Sequence, residues 1–549
     1  MATSFLNFTF GLDLAFGIWH LAFRASMIVV LEGSNPPLQQ RYGVHEICET
    51  SLPQPPKNVT FQEKKDERIS TETTPCLKRE VGLLSTIALL IGLAVGSSIF
   101  TVPSIVFVKT GSAGVVIVLF SLAGVKALMG GLCYAELAAL LPASGGNYAY
   151  LTAASKSMGK YGDVIPFMSA WVSLTISEPM TAAYQGLTFS SYALSLVYGD
   201  CSLSYSANVI TALAFTALGT AVNCFSVKTS ARVQGVLTTI KTFVLVSIII
   251  TGAVWAFRAN KLLEAPLFVG VTPSNLAQAF FAATSCYGGC NSITYIAEEI
   301  KDPTRTIPLA MAIGIVILTL VNVLTNVAFF VVLDASTVAS SDAIAESFAM
   351  ATWGTAAAFC VPLVVSVSAF GSLCAGFFSG SRLKLAAARQ GHLPQVLSFI
   401  TVDSSVPLPS VLFRGLLALA YTFAGSLSFI LDGVTFVYAI NDIFTMISFF
   451  VLRSSMRDVL RPFRLPTVIP VLYLAALLTL VGVTLSSPSG YLKYLVVIVG
   501  YSVGFGYYVL FVRFKTHLPG AEGATVLIQK FLMCMPCVNE LDLMLKEKL

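Results

Sequence analysis

Two long apolar stretches of the chain are each interrupted near the middle by small residues. Leu83 to Val108 breaks at Gly96-Ser97-Ser98, and Asn275 to Ala297 breaks at Tyr287-Gly288-Gly289. The chemistry that such breaks offer runs through the backbone. Where a helix restarts, its first N–H groups lack partners and its dipole presents a positive end, a ready anion site. Where a helix stops, its last carbonyls are free to accept from a cation. The two ends of a zwitterion, carboxylate and ammonium, are thereby both provided for. The competing reading is that Gly and Ser only let membrane helices pack closely. Recurrence of the break in a second stretch favours the ligand reading.

Charged side chains inside apolar surroundings form the second group of candidates. Lys126, Glu136, Glu178, Lys241 and Asp442 all fall within hydrophobic runs. Charge at membrane depth is expensive, so each is a functional hypothesis by default. Glu136, in Cys133-Tyr134-Ala135-Glu136-Leu137-Ala138, lies near a span end and reads as structural. Glu178 and Asp442, two acids near a pocket, would suit a cationic side chain such as that of lysine, arginine or ornithine. Pairing of one of them with Lys126 as a structural element, or a pH-linked role, are the alternatives.

The elements that must position these residues are membrane spans. The chain has 549 residues, 56% hydrophobic and 11% charged, with mean hydropathy +0.80 and formal net charge +5. A soluble domain carries about 25% charged residues, so a polytopic membrane protein is indicated. Runs of about 20 apolar residues predict twelve spans: 83–108, 113–141, 164–198, 207–224, 233–257, 275–297, 307–333, 356–387, 408–425, 428–452, 467–486 and 491–514. One set of alternate loops holds Lys156, Lys160, Lys228, Arg232, Lys301, Arg305, Arg382, Lys384, Arg389, Arg453, Arg457, Arg461 and Arg464. The opposite set holds only Lys109, Arg258 and Lys261. Basic loops face the cytosol, so both ends of the span domain are expected inside. The broken spans, first and sixth, each begin a set of five helices. Five being odd, the second set enters inverted, which brings two discontinuous helices face to face at a midplane site.

Residues 1–80 read as an N-terminal tail, 81–515 as the span domain and 516–549 as a cytosolic C-terminal tail. The apolar segment 5–31, interrupted by Asp13, His20 and Arg24, reads as an extra span, a signal or a gene-model artefact. Eleven cysteines are scattered without a disulfide framework, and no Walker-type loop or metal-spaced His/Cys cluster occurs. No nucleophile–base pair is placed for catalysis, and no cofactor, metal or nucleic acid is implied. The expectation is a carrier, not an enzyme or an ATP-driven pump.

The segments GLAVGSSIFTVP, LCYAELAALLPASGGNYAYL, TAVNCFSVKTSARVQ, AFFAATSCYGGCNSITYIAEEIKDPTRTIPLAM and SRLKLAAARQGHLPQVLS closely resemble the amino acid–polyamine–organocation transporters. Within these, the resemblance is to the light subunits of heteromeric, L-type amino acid transporters, and it covers Val81 to Phe514. It implies an all-α membrane protein with the LeuT-type fold: a five-plus-five inverted repeat plus two helices, with helices 1 and 6 broken. It assigns the substrate carboxylate to Gly96, Ser97, Ser98 and Ile99, and the matching break to Ser285, Tyr287, Gly288, Gly289 and Asn291. Lys241 matches the family lysine whose ammonium replaces a sodium ion, implying sodium-independent exchange; a lysine snorkelling to the surface is the plain alternative. Cys201 stands where light subunits carry the cysteine that disulfide-links a heavy-chain glycoprotein.

The sequence departs from that family at four positions. Ser98 stands where relatives carry Gly, and its side chain either crowds the backbone approach or adds a donor. Ser285 and Cys290 stand where relatives often carry Phe and Trp, leaving either a smaller gate or space filled by neighbours. Glu178 stands where many relatives have Arg or Lys before Pro179. The reading that emerges is a sodium-independent amino acid exchanger of the plasma membrane, lipid-embedded, working by alternating access. It has a heavy-chain partner and accepts cationic as well as neutral substrates. A non-transporting sensor or scaffold of the same fold is the alternative.

Overall fold

A computed structural model describes residues 81–141, 146–198, 204–225, 227–259, 271–341, 343–401, 406–423, 427–459, 461–485, 491–514 and 521–536. The expectations for residues 1–80, for Cys201 and for most of 516–549 lie outside the described residues.

Helices account for nearly all of this. They are α1 (Leu83–Ala94), α2 (Ser98–Thr110), α3 (Ala113–Leu140), α4 (Asn147–Ser155), α5 (Val164–Val172), α6 (Glu178–Tyr198), α7 (Tyr205–Phe225), α8 (Val227–Ala259) and α9 (Pro273–Ser285). A 3₁₀ segment, Cys290–Glu299, precedes α10 (Pro303–Val332), the short α11 (Ala335–Ser340) and α12 (Ile344–Trp353), and α13 (Thr355–Arg389). The rest are α14 (Leu408–Thr422), α15 (Leu427–Ser455), α16 (Val468–Leu485), α17 (Tyr491–Tyr507) and α18 (Ala521–Leu532). Each predicted span has its helix or helix pair. Among the described residues, seven helices are by themselves long and apolar enough to cross a membrane. The first, third and sixth spans are instead assembled from shorter pieces. In the third, a π-helical turn, Ser173–Ser177, joins α5 to α6 and delivers Glu178 as the first residue of α6.

Local chemistry sets the helix boundaries. Gly111 ends α2 in the left-handed conformation (φ +63°), and the Ser112 side chain accepts from the Val115 N–H to cap α3. Thr272 caps α9 in the same way through the Asn275 N–H, with Pro273 at the first helical position.

Packing follows the two-set topology. Helix α2 packs on α9, α3 on α10, α6 on α13 and α7 on α14. Each of the first four spans thus contacts its counterpart five spans later, as a repeat of five predicts. The α3–α10 pair comes close because Gly124 leaves room for Thr319, where any Cβ would overlap that side chain. The C-terminal segment is docked. Cys534–Pro536 (β2) pairs antiparallel with Phe399–Thr401 (β1), aligning Ile400 with Met535.

Candidate functional site

Helix α1 stops at Val95, whose N–H still bonds Ile91 O at 2.8 Å. Gly96 and Ser97 carry the chain across the gap, and α2 begins at Ser98 without a side-chain cap. Its leading N–H groups therefore keep their donor capacity. On the other side of the gap, Lys241 of α8 donates from Nζ to Gly92 O at 3.0 Å and to Val95 O. Lys241 is 4% exposed, so its side chain is spent on the break and does not reach a surface. Main-chain oxygens gathered at a helix end are the ligands a small hard cation takes, and here an ammonium occupies them.

The second break differs in detail. Helix α9 ends at Ser285, a turn runs through Cys286 to Gly289, and the span continues as a 3₁₀ helix. Gly289 sits at φ +89°, a conformation that L side chains rarely adopt. The Ser285 hydroxyl donates to Ala282 O at 2.6 Å, and the Tyr287 hydroxyl to Phe120 O of α3 at 2.7 Å. Gly288 and Gly289 are exposed within the structure.

Both breaks open on one cavity of about 380 Å³. Gly96, Ser97, Ser98, Ser285, Tyr287, Gly288, Gly289 and Asn291 line it, as does Cys290. Ile99 is buried and outside this lining. Glu178 and Asp442 are also in the wall, and each is already engaged. Asp442 faces Lys126 Nζ at 3.5 Å and accepts from the hydroxyls of Tyr134 (3.0 Å) and Tyr473 (2.8 Å). Glu178 faces Lys384 Nζ at 2.6 Å and Arg414 Nη1 at 3.9 Å.

Over residues 81–513 the chain matches the family model described as amino acid permease. The chain belongs to the amino acid permease family. It is 31% identical to the mouse b(0,+)-type amino acid transporter 1, across 84% of this chain and 94% of that protein. It is 34% identical to the human cystine/glutamate transporter, across 75% and 81% respectively. To the rat large neutral amino acids transporter small subunit 2 it is 32% identical, across 72% and 74%.

Sequence reasoning missed two cations beside Glu178, Arg414 in the lining of this permease's cavity and Lys384 behind it. Lys384 counts among the basic loop residues by its neighbours Arg382 and Arg389, yet α13 runs on to Arg389 and buries Lys384 to 1% exposure. The loop asymmetry is one lysine weaker for it. Arg414 lies inside an apolar run, and the rule that flags intramembrane charge would have found it.

The remaining charges serve elsewhere. Glu136, fully buried, receives Arg453 at 2.6 and 2.9 Å, Arg461 at 2.9 Å and the Leu465 N–H at 2.8 Å. It ties α3 to the end of α15 and the segment after it, a structural clamp. Lys109, at the end of α2, contacts Asp432 of α15 at 3.3 Å and Gln278 of α9 at 3.5 Å. That contact draws together neighbouring ends of α2, α9 and α15, three helices that line the cavity.

Proposed function

We propose that this permease is a sodium-independent amino acid exchanger of the plasma membrane, operating by alternating access. The observation that carries the reading is the joined pair of breaks over one cavity, with a lysine ammonium on the carbonyls of the first. The substrate carboxylate takes the N–H groups at Ser97, Ser98 and Ile99, the backbone of Ile99 serving although its side chain lies outside the cavity lining. The substrate ammonium takes the second lone pairs of the turn carbonyls around Ser285 at the second break, with Gly288, Gly289 and Asn291 beside it. Lys241 supplies the positive charge that a sodium ion would otherwise bring, which removes the need for a sodium gradient. The Lys109–Asp432–Gln278 contact closes the end away from the basic loops, which by charge asymmetry is the extracellular end.

Glu178 and Asp442 act on selectivity through their partners. Each faces a lysine, so neither offers the free carboxylate that a cationic side chain needs, and neutral substrates fit this wall better than cationic ones. A relative bears the name small subunit, which supports a heavy-chain glycoprotein partner. Cys201, by family position, would make the disulfide.

Uptake of labelled leucine into cells, with sodium replaced by choline, tests the carrier reading. The expected result is undiminished uptake, lost in Gly96→Phe at equal surface expression; strict dependence on sodium contradicts it. For the partner, non-reducing electrophoresis of full-length protein from cells is expected to give a high-mass band that collapses in Cys201→Ser. A band unchanged by that substitution contradicts the bridge.

A further inference from the structure

At the wall formed by α6, α13 and α14, two ionised groups of the lining, Glu178 and Arg414, meet a third buried behind them, Lys384, where two would balance. Glu178 sits between Lys384 and Arg414, a formal charge of +1, while Lys126 and Asp442 across the cavity cancel. Arg414 is 2% exposed, yet it is part of the cavity lining. Its Nε and Nη1 make no hydrogen bond. Its guanidinium lies over the Phe377 ring at 4.5 Å, and Nη2 abuts Gly376, where a Cβ would come within 2.7 Å. The group is therefore held in a fitted seat with two donors unused. A buried charged donor without an acceptor is costly, and a seat that fixes the guanidinium while leaving donors open is suited to an acceptor that comes and goes.

We infer that Arg414 reads the far end of the substrate side chain and selects one that carries a carboxylate. The inference rests on the carrier reading above, in which the backbone breaks hold the α-carboxylate and α-ammonium. A side-chain carboxylate brings the wall to neutrality and gives Nε and Nη1 their acceptors. A cationic side chain would raise the local charge to +2. Glu178 competes for the same guanidinium at 3.9 Å, and so tempers the preference and lets neutral side chains through. Lys384, in close contact with Glu178, keeps that carboxylate from capturing Arg414 fully. Arg414 is thus a specificity residue, with Glu178 as its internal competitor.

The two residues predict opposite effects, which separates selectivity from a folding defect. Purified full-length protein in sodium-free proteoliposomes, preloaded with the matching unlabelled amino acid, would be assayed with labelled L-glutamate, L-leucine and L-arginine. Arg414→Met is expected to lower the glutamate-to-leucine ratio about tenfold or more, the loss of a charge-assisted pair. Glu178→Gln is expected to raise that ratio severalfold. Arg414→Lys, keeping the charge but not the fork, falls between wild type and Arg414→Met. Equal changes in glutamate and leucine, or wild-type exchange of leucine with none of glutamate, would overturn the assignment while leaving the carrier reading intact. If wild type exchanges nothing, the carrier reading fails, and stabilisation against heating by each amino acid then decides this one. Glutamate must stabilise wild type more than Arg414→Met; a shift common to both proteins, or none, overturns it.

Discussion

The two sides of the cavity use different materials. The side built by α1, α2, α9 and the 3₁₀ segment presents backbone: helix ends, the glycines Gly96, Gly288 and Gly289, and carbonyls bound by Lys241. The side built by α6, α13 and α14 presents side-chain charge, Glu178 and Arg414, with Lys384 buried behind them. Backbone groups cannot be exchanged by substitution, so the first side suits what all amino acids share. Side chains change one residue at a time, so the second side can differ between relatives that hold the zwitterion alike. That division explains how an acid at Glu178 is accommodated in this fold: Lys384 and Arg414 stand on either side of it.

Lys241→Met tests the backbone side most severely. It leaves two carbonyls at the first break without their cation, and removing one partner of a buried charged contact costs about 3–5 kcal/mol. Exchange of every substrate is expected to fall about 100-fold, measured as initial rates at matched protein density. Loss confined to one class of side chain would erase the distinction between the two sides. Next in size is Gly289→Val, which forces a β-branched residue to φ +89°, a strain of about 1–3 kcal/mol. Leucine and glutamate rates should drop together by about tenfold, with the ratio unmoved. The smallest effect belongs to the charged wall. Gly376→Ala pushes on Arg414 Nη2, and a displaced rotamer costs about 0.5–1.5 kcal/mol. The glutamate-to-leucine ratio should shift about threefold, whereas Gly482→Ala, with open space around it, should move neither rate.

The same division decides what was legible in the sequence. Spans follow from apolar run length, and the breaks from Gly and Ser placed inside those runs, both local signals. The family resemblance gave Lys241 the place of a sodium ion without saying which backbone it meets; its contact with Gly92 O and Val95 O is visible only in the structure. The charged wall was half legible. Glu178 stood out as an acid in an apolar run, but its partners lie more than 200 residues further along the chain. No local pattern brings α6, α13 and α14 together. Lys384 was misassigned because the basic cluster around it resembles a loop, while the helix continues through that cluster. Pairing of Lys126 with one of the two acids was among the sequence alternatives, and it is Asp442 that stands 3.5 Å from it. The 3₁₀ form of the second half of span six has no signature that separates it from an α-helix, since both bury apolar residues at short intervals.

The most direct test of the central claim, that the two breaks form an exchange site independent of sodium, is counterflow. Purified full-length protein would be reconstituted in proteoliposomes loaded with unlabelled leucine, in sodium-free buffer, and labelled leucine added outside. Transient accumulation of label in loaded vesicles, absent from empty ones and unchanged by added sodium, is the predicted result. Saturable binding without accumulation, or accumulation only with sodium, would contradict the account.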